Sequence, residues 1–298
     1  MLTRIATLFA LGVFRVLGCL PLSALQSIGS GLGWFFWMIP GTYKRRAAAN
    51  IALAYPDASP TMLREVLQQG LRMIMELPYL WAPKNAAKLN QLIRCDDWSL
   101  IDDALAQGNG LILISPHIGC FEMLGPFFSQ RHPATVIFKE PRMKWLSNLI
   151  HQVRVTPQLT LVPASQRGVK GLVKTLLKGQ TIGFLPDQVP TYGEGVLAPF
   201  FGKDAYTLTL VQRMQSLRDS PIFTVGLERL DHGKGYRLHV QPMSQALSSD
   251  PLTAATQMNQ ALESMIRKMP TQYLWGYNRY KKPCRLSLQL PPERPDLI

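Results

Sequence analysis

The residues best suited to chemistry lie in Ser115-Pro116-His117-Ile118-Gly119-Cys120-Phe121-Glu122, directly after the apolar run Leu111-Ile112-Leu113-Ile114. An imidazole held at one nitrogen by a carboxylate keeps a single tautomer and offers the other nitrogen as a base toward a hydroxyl. His117 and Glu122 would form such a pair, the histidine-carboxylate part of a triad whose nucleophile arrives with the substrate. On one regular helix, residues five apart point about 140° away from each other. The two therefore meet only with His117 in a turn and Glu122 on the first turns of the next helix, a bend that Gly119 permits. The same spacing also occurs where a carboxylate merely satisfies a structural histidine. Placement just beyond a strand favours the catalytic reading, because the ligand crevice of an α/β sheet lies at the carboxyl ends of its strands.

The elements that must position this pair are legible as alternating patterns. Residues 111–115, 134–138, 159–162 and 181–185 read as buried strands, with helices expected near 121–130, 142–153 and 168–178, the last closed by Gly179. Segments 221–230 and 236–240 predict an antiparallel hairpin, and 251–269 a further amphipathic helix. Ser59-Pro60 opens a helix that runs toward Pro78. The fold class is therefore α/β, a mixed, largely parallel sheet flanked by helices, preceded by an N-terminal membrane-associated helical segment. The expected division is 1–45 as anchor, 46–285 as the catalytic domain and 286–298 as a loose tail.

The chain of 298 residues carries 32 basic and 19 acidic side chains, a net charge of +13 that calls for acidic partners. Residues 1–56 contain Arg4, Arg15, Lys44, Arg45 and Arg46 and no acid, yet are strongly apolar, which favours a membrane surface over nucleic acid. Arg15 interrupts the first apolar run, and Trp34-Phe35-Phe36-Trp37 precedes the Lys44-Arg45-Arg46 cluster. Interfacial or shallow insertion is preferred, ahead of a single span and then a cleaved signal. A buried helical hairpin overlaps the first of these. A second basic region follows His117 and includes Lys139, Arg167, Lys170, Lys174 and Lys178. The last three lie on one helix face and suit an acidic protein helix, a lipid headgroup or plain solvent. Arg167, expected just before that helix, suits a phosphate.

Absent patterns narrow the reaction. There is no G-x-S-x-G elbow, no P-loop and no H-E-x-x-H, and Gly193-x-Gly195-x-x-Ala198 opens no helix. Cys19, Cys95, Cys120 and Cys284 show no metal-ligand spacing and are expected to be mostly buried. Neither a metal nor a cofactor is expected.

His117-x(4)-Glu122, Arg167-Gly168, Phe184-Leu185-Pro186-Asp187-Gln188, Pro199-Phe200-Phe201-Gly202 and Gln272-Tyr273-Leu274-Trp275-Gly276-Tyr277-Asn278-Arg279-Tyr280-Lys281 together resemble the bacterial lipid A biosynthesis acyltransferases, the late lauroyl/myristoyl transferases. The resemblance runs to about Lys282. It implies a glycerolipid-acyltransferase-like fold and an enzyme on the cytoplasmic face of the bacterial inner membrane. It would move a fatty acyl chain from acyl carrier protein to a hydroxyl of a Kdo-linked, phosphorylated lipid A precursor. His117 and Glu122 match the family's catalytic pair, and Lys139, Arg167, Asp187, Asn278 and Arg279 fall among the expected substrate-binding residues. Cys120 and Phe121 depart from a frequent H-x-G-N-W-E reading. Glycerolipid or other glycolipid acyl transfer is the enzymatic alternative, and a non-enzymatic basic membrane-peripheral protein the weaker one.

Overall fold

The computed structural model describes residues 11–82, 85–138 and 157–283. One seven-stranded sheet has the order β1-β9-β8-β2-β5-β3-β4, comprising β1 (Ile93–Arg94), β2 (Leu111–Ile114), β3 (Ala134–Phe138), β4 (Leu159–Pro163), β5 (Thr181–Phe184), β8 (Ile222–Arg229) and β9 (Tyr236–Pro242). Only β8 and β9 pair antiparallel; the other neighbours run parallel. The mixed, largely parallel α/β sheet expected from the sequence is thus the fold.

Leu-Ile-Leu-Ile of β2 is continuously apolar because both of its faces are covered. Ile112 and Ile114 join Ile182 and Phe184 under Leu172 and Leu176 of helix α8 (Gln166–Leu177) and Leu262 of α10 (Pro251–Lys268). Leu111 faces the other way, with Ala134, Leu159 and Val225 under Trp98 and Ile101 of α6 (Trp98–Ala106) and Phe128 of α7 (Leu124–Phe128). The sheet therefore has two separate cores, one on each face.

Three expectations change. The helix anticipated at 121–130 is a 3-10 turn, Phe121–Met123, followed by the short α7, whose Pro126 has no N–H for a regular helical ladder. Residues β6 (Gly195–Phe200) and β7 (Lys203–Leu208), for which no strand was expected, form a separate antiparallel hairpin. Its two-residue turn is Phe201-Gly202, both at positive φ, as a primed turn requires. Cys19 is exposed and Cys95 half-buried, so only Cys120 of the three described cysteines is buried. The expected helix at 142–153, Cys284 and the 286–298 tail lie outside the described residues.

At the N-terminus, α1 (Leu11–Leu17) and α2 (Leu22–Met38) meet at a bend of 119°. Among the described residues no single helix is long and apolar enough to cross a membrane, although this bent pair passes the test jointly. α3 (Thr42–Ala54) follows, and α2 packs against α4 (Pro60–Leu80). Gly29 and Gly33 allow that approach, since a Cβ at either would collide with the backbone at Arg72 or Gln68. The opposite face of α2 leaves Trp34, Phe35, Phe36 and Ile39 exposed. A helix buried on one side and aromatic on the other is suited to an interface rather than to the interior of a fold.

The helical layer is tied to the sheet by a buried ion pair. Arg229 Nε at the end of β8 donates to Glu76 Oε2 of α4 at 2.7 Å, with side chains 1% and 0% exposed. Burial works against both charges, so the pair holds only because its other atoms are also satisfied. Arg229 donates to Gln69 and to the Gly119 carbonyl, and Gln26 of α2 donates to Glu76 Oε1. Removing one partner strands a buried charge. Glu76→Ala is expected to destabilise the protein by about 3–5 kcal/mol, read from the urea unfolding midpoint. A change below about 1 kcal/mol would show that the pair is not a tie between the layers.

Candidate active site

The turn after β2 is pinned on several sides. Gly119 N–H donates to Gln272 O at 3.1 Å, Cys120 N–H to Leu227 O at 2.8 Å, and Leu274 N–H to His117 O at 3.1 Å. Gly119 has φ of 58° and lies so close to Leu227 O that any Cβ would collide with it. A glycine is therefore required by both backbone angle and space.

His117 Nδ1 lies 2.6 Å from Asp187 Oδ1, and His117 N–H donates to Asp187 Oδ2 at 2.9 Å. The orienting carboxylate in the structure is Asp187, where sequence spacing suggested Glu122. Strand register explains this: Ile114 of β2 pairs with Phe184 of β5, so His117 and Asp187 each lie three residues past a paired position. Glu122 instead occupies the 3-10 turn and lines the cavity together with His117. Gln188 Nε2 is 3.2 Å from His117 Nε2, and the Phe121 ring meets the imidazole edge-on at 4.8 Å.

Asp187 is 2% exposed. Burial pushes its carboxyl up, but the charge and two hydrogen bonds of His117, together with the Arg279 guanidinium, outweigh burial and hold it below the usual carboxylate value. An ionised Asp187 accepts from Nδ1–H and leaves the ring lone pair on Nε2, facing the Gln188 amide. Tyr273, also buried, is pushed well above the ordinary tyrosine range, first by burial and then by the Asp187 charge. It stays a neutral phenol beside the carboxylate.

His117, Ser115, Glu122 and Gln188 gather beyond the ends of β2 and β5 on the wall of a cavity of about 410 Å³. The rest of that wall is mainly apolar, with Leu113, Val136, Phe138, Leu161 and Val225 from the sheet and Phe128 from α7. This size suits a small-molecule site or one flexible chain. Among the described residues, no group of three His, Cys, Asp or Glu side chains is placed to ligate a metal.

The other anticipated residues are dispersed. Arg167 is exposed and lies within the first turn of α8, on the sheet face opposite the cavity core, rather than before the helix. Ser165 caps that helix. Asn278 is half-buried and does not line the cavity. Arg279 is 2% exposed and donates to Tyr206 O and Thr207 Oγ1, both at 2.7 Å, so it braces β7. Lys139 lies outside the described residues. Burial pushes the Cys120 thiol up, and Glu76 raises it further, so a thiolate nucleophile is disfavoured there. Sequence reasoning passed over Gln188 as a site residue; its only signal was adjacency to Asp187.

An apolar cavity ending at a histidine with an ionised carboxylate behind it fits a substrate with a hydrocarbon tail and base catalysis at one end, as an acyltransferase requires. The comparisons agree: the family model described as bacterial lipid A biosynthesis acyltransferase matches residues 1–282, and the chain belongs to that family. A lipid A biosynthesis acyltransferase of Haemophilus influenzae is 27% identical, with 92% of this chain and 90% of the relative covered. The lipid A biosynthesis lauroyltransferase and palmitoleoyltransferase of Escherichia coli K12 are each 25% identical, covering 92% of this chain and 91% and 90% of their own lengths. Equal identity to two enzymes named for different acyl chains leaves chain length undecided by similarity.

Because its folded-state value is lowered, Asp187 contributes stability that is present above the unfolded carboxyl value, about 3.9. That contribution is lost as pH falls through the lower folded value. Asp187→Asn is expected to remove this part of the acid dependence of the unfolding midpoint. It should also slow turnover by about 10²–10⁴-fold. An unchanged acid profile together with normal turnover would contradict the assignment.

Proposed function

We propose that this enzyme transfers a fatty acyl chain of the lauroyl or myristoyl class from an acyl carrier protein thioester to a hydroxyl of a Kdo-linked lipid A precursor. The reaction takes place at the cytoplasmic face of the bacterial inner membrane. The observation that carries this reading is the His117–Asp187 pair opening onto an apolar cavity. His117 Nε2 removes the acceptor proton while the hydroxyl oxygen attacks the thioester carbonyl. The tetrahedral intermediate collapses, the C–S bond breaks, and the imidazolium returns its proton to the departing thiolate. Asp187 fixes the tautomer and stabilises the imidazolium. Glu122 lies on the same cavity wall, where it faces the bound substrate.

The bent N-terminal helices and the exposed aromatic face of α2 support anchoring by residues 1–45, with 46–285 as the transfer domain. Lys44 reinforces that face, donating to Trp37 O and lying over the Trp37 ring. Lys139 supplies charge for the lipid phosphates. Lys170, Lys174 and Lys178, all exposed on α8, suit the acidic carrier.

His117→Ala, purified in detergent with both substrates, is expected to lose about 10²–10⁴-fold in transfer. Mass spectrometry of lipid A from cells with and without the protein should show one acyl chain gained. Full turnover by His117→Ala would overturn the base assignment. Transfer only to a glycerolipid, in competition with the lipid A precursor, would replace the acceptor.

A further inference from the structure

We propose that the Gln188 side-chain amide is the oxyanion donor of the transfer reaction, resting on His117 until the acceptor hydroxyl displaces it. The inference depends on the reading of His117 as the base.

With Nδ1–H committed to Asp187, the 3.2 Å contact between Gln188 Nε2 and His117 Nε2 is an amide N–H donating to the ring lone pair. That lone pair is the one the acceptor proton must reach, and a hydroxyl in transfer geometry needs the same position. Amide and acceptor therefore compete for one nitrogen. When the hydroxyl enters, the amide must turn away, but it cannot go far. The Asp187 carboxylate is held by the His117 ring and N–H, and Val189 N–H donates to Tyr277 Oη at 3.0 Å, so the chain is tied on both sides of Gln188. The displaced NH₂ remains within one side chain's reach of the reacting carbon.

A donor is needed at that place. Three of the turn's own N–H groups are already engaged, His117 with Asp187, Gly119 with Gln272 O and Cys120 with Leu227 O. Of the described polar side chains on the cavity wall, Ser115 Oγ donates to Pro116 O. Thr181 lies at the opposite end of β5. Gln188 is a neutral donor in direct contact with the base. As the acceptor oxygen bonds to the thioester carbon and its proton passes to His117 Nε2, the carbonyl oxygen gains the negative charge. The freed amide N–H then donates to that oxygen. When the C–S bond breaks, the carbonyl reforms, the thiolate takes the proton from the imidazolium, and Gln188 returns to Nε2.

The test uses the full chain in detergent, with lauroyl-carrier thioester and the Kdo-linked precursor. Gln188→Ala and the near-isosteric Gln188→Met are both expected to lower kcat by about 10²–10³-fold, with KM for each substrate within about threefold. Gln188→Glu should lose as much and shift the acidic limb of kcat/KM to higher pH, because a carboxylate against the ring favours the imidazolium. A purely structural role would lower the thermal midpoint and leave this split and shift absent. If His117→Ala is inactive while a folded Gln188→Met or Gln188→Ala keeps kcat within about threefold, the proposal is overturned and the base stands. Full activity of His117→Ala would overturn both.

Discussion

A carboxylate removed almost entirely from water lies against the His117 imidazole, and its surroundings are arranged so that it stays ionised. Isolated, such a group would be several kcal/mol out of balance and would protonate. Asp187 avoids this through two hydrogen bonds from His117 and the field of the buried Arg279. Arg279 is itself held by Tyr206 O and Thr207 Oγ1 on the β6–β7 hairpin. A hairpin outside the main sheet thus contributes, through one guanidinium, to the charge state of the active-site carboxylate.

The two faces of the sheet divide the remaining work. On one face, α8 and α10 pack the core that carries Ile112, Ile114 and Ile182. On the other, the sheet, α6 and α7 leave room for the cavity. Glu76 and Arg229 join the catalytic turn to α4, and α4 carries α2 with its aromatic face. One polar chain therefore runs from the helix with the exposed aromatic face to the carbonyl of Gly119, two residues from His117.

Much of the fold was legible in the sequence because long apolar runs after Gly and before turns mark buried parallel strands, as in Leu111–Ile114 and Thr181–Phe184. His117 was legible for the same reason, being the first titratable side chain beyond such a strand. Its partner was misassigned. Spacing along one segment favours a near neighbour, Glu122, whereas strand register brings in Asp187 from seventy residues away. Phe201-Gly202 held a hairpin signal that Pro199 on the same strand obscured. Arg279, read as a substrate ligand from the family motif, is a buried strut, and sequence alone carries no sign of burial for an arginine.

Asp187 holds the His117 proton on Nδ1, which leaves the ring lone pair on Nε2. Nitrogen-15 NMR of ring-labelled histidine, assigned by His117→Gln, reads this directly. A protonated Nδ1 and an unprotonated Nε2 are expected at neutral pH, with the preference lost in Asp187→Ala. A proton on Nε2, or the same tautomer without the carboxylate, would contradict it.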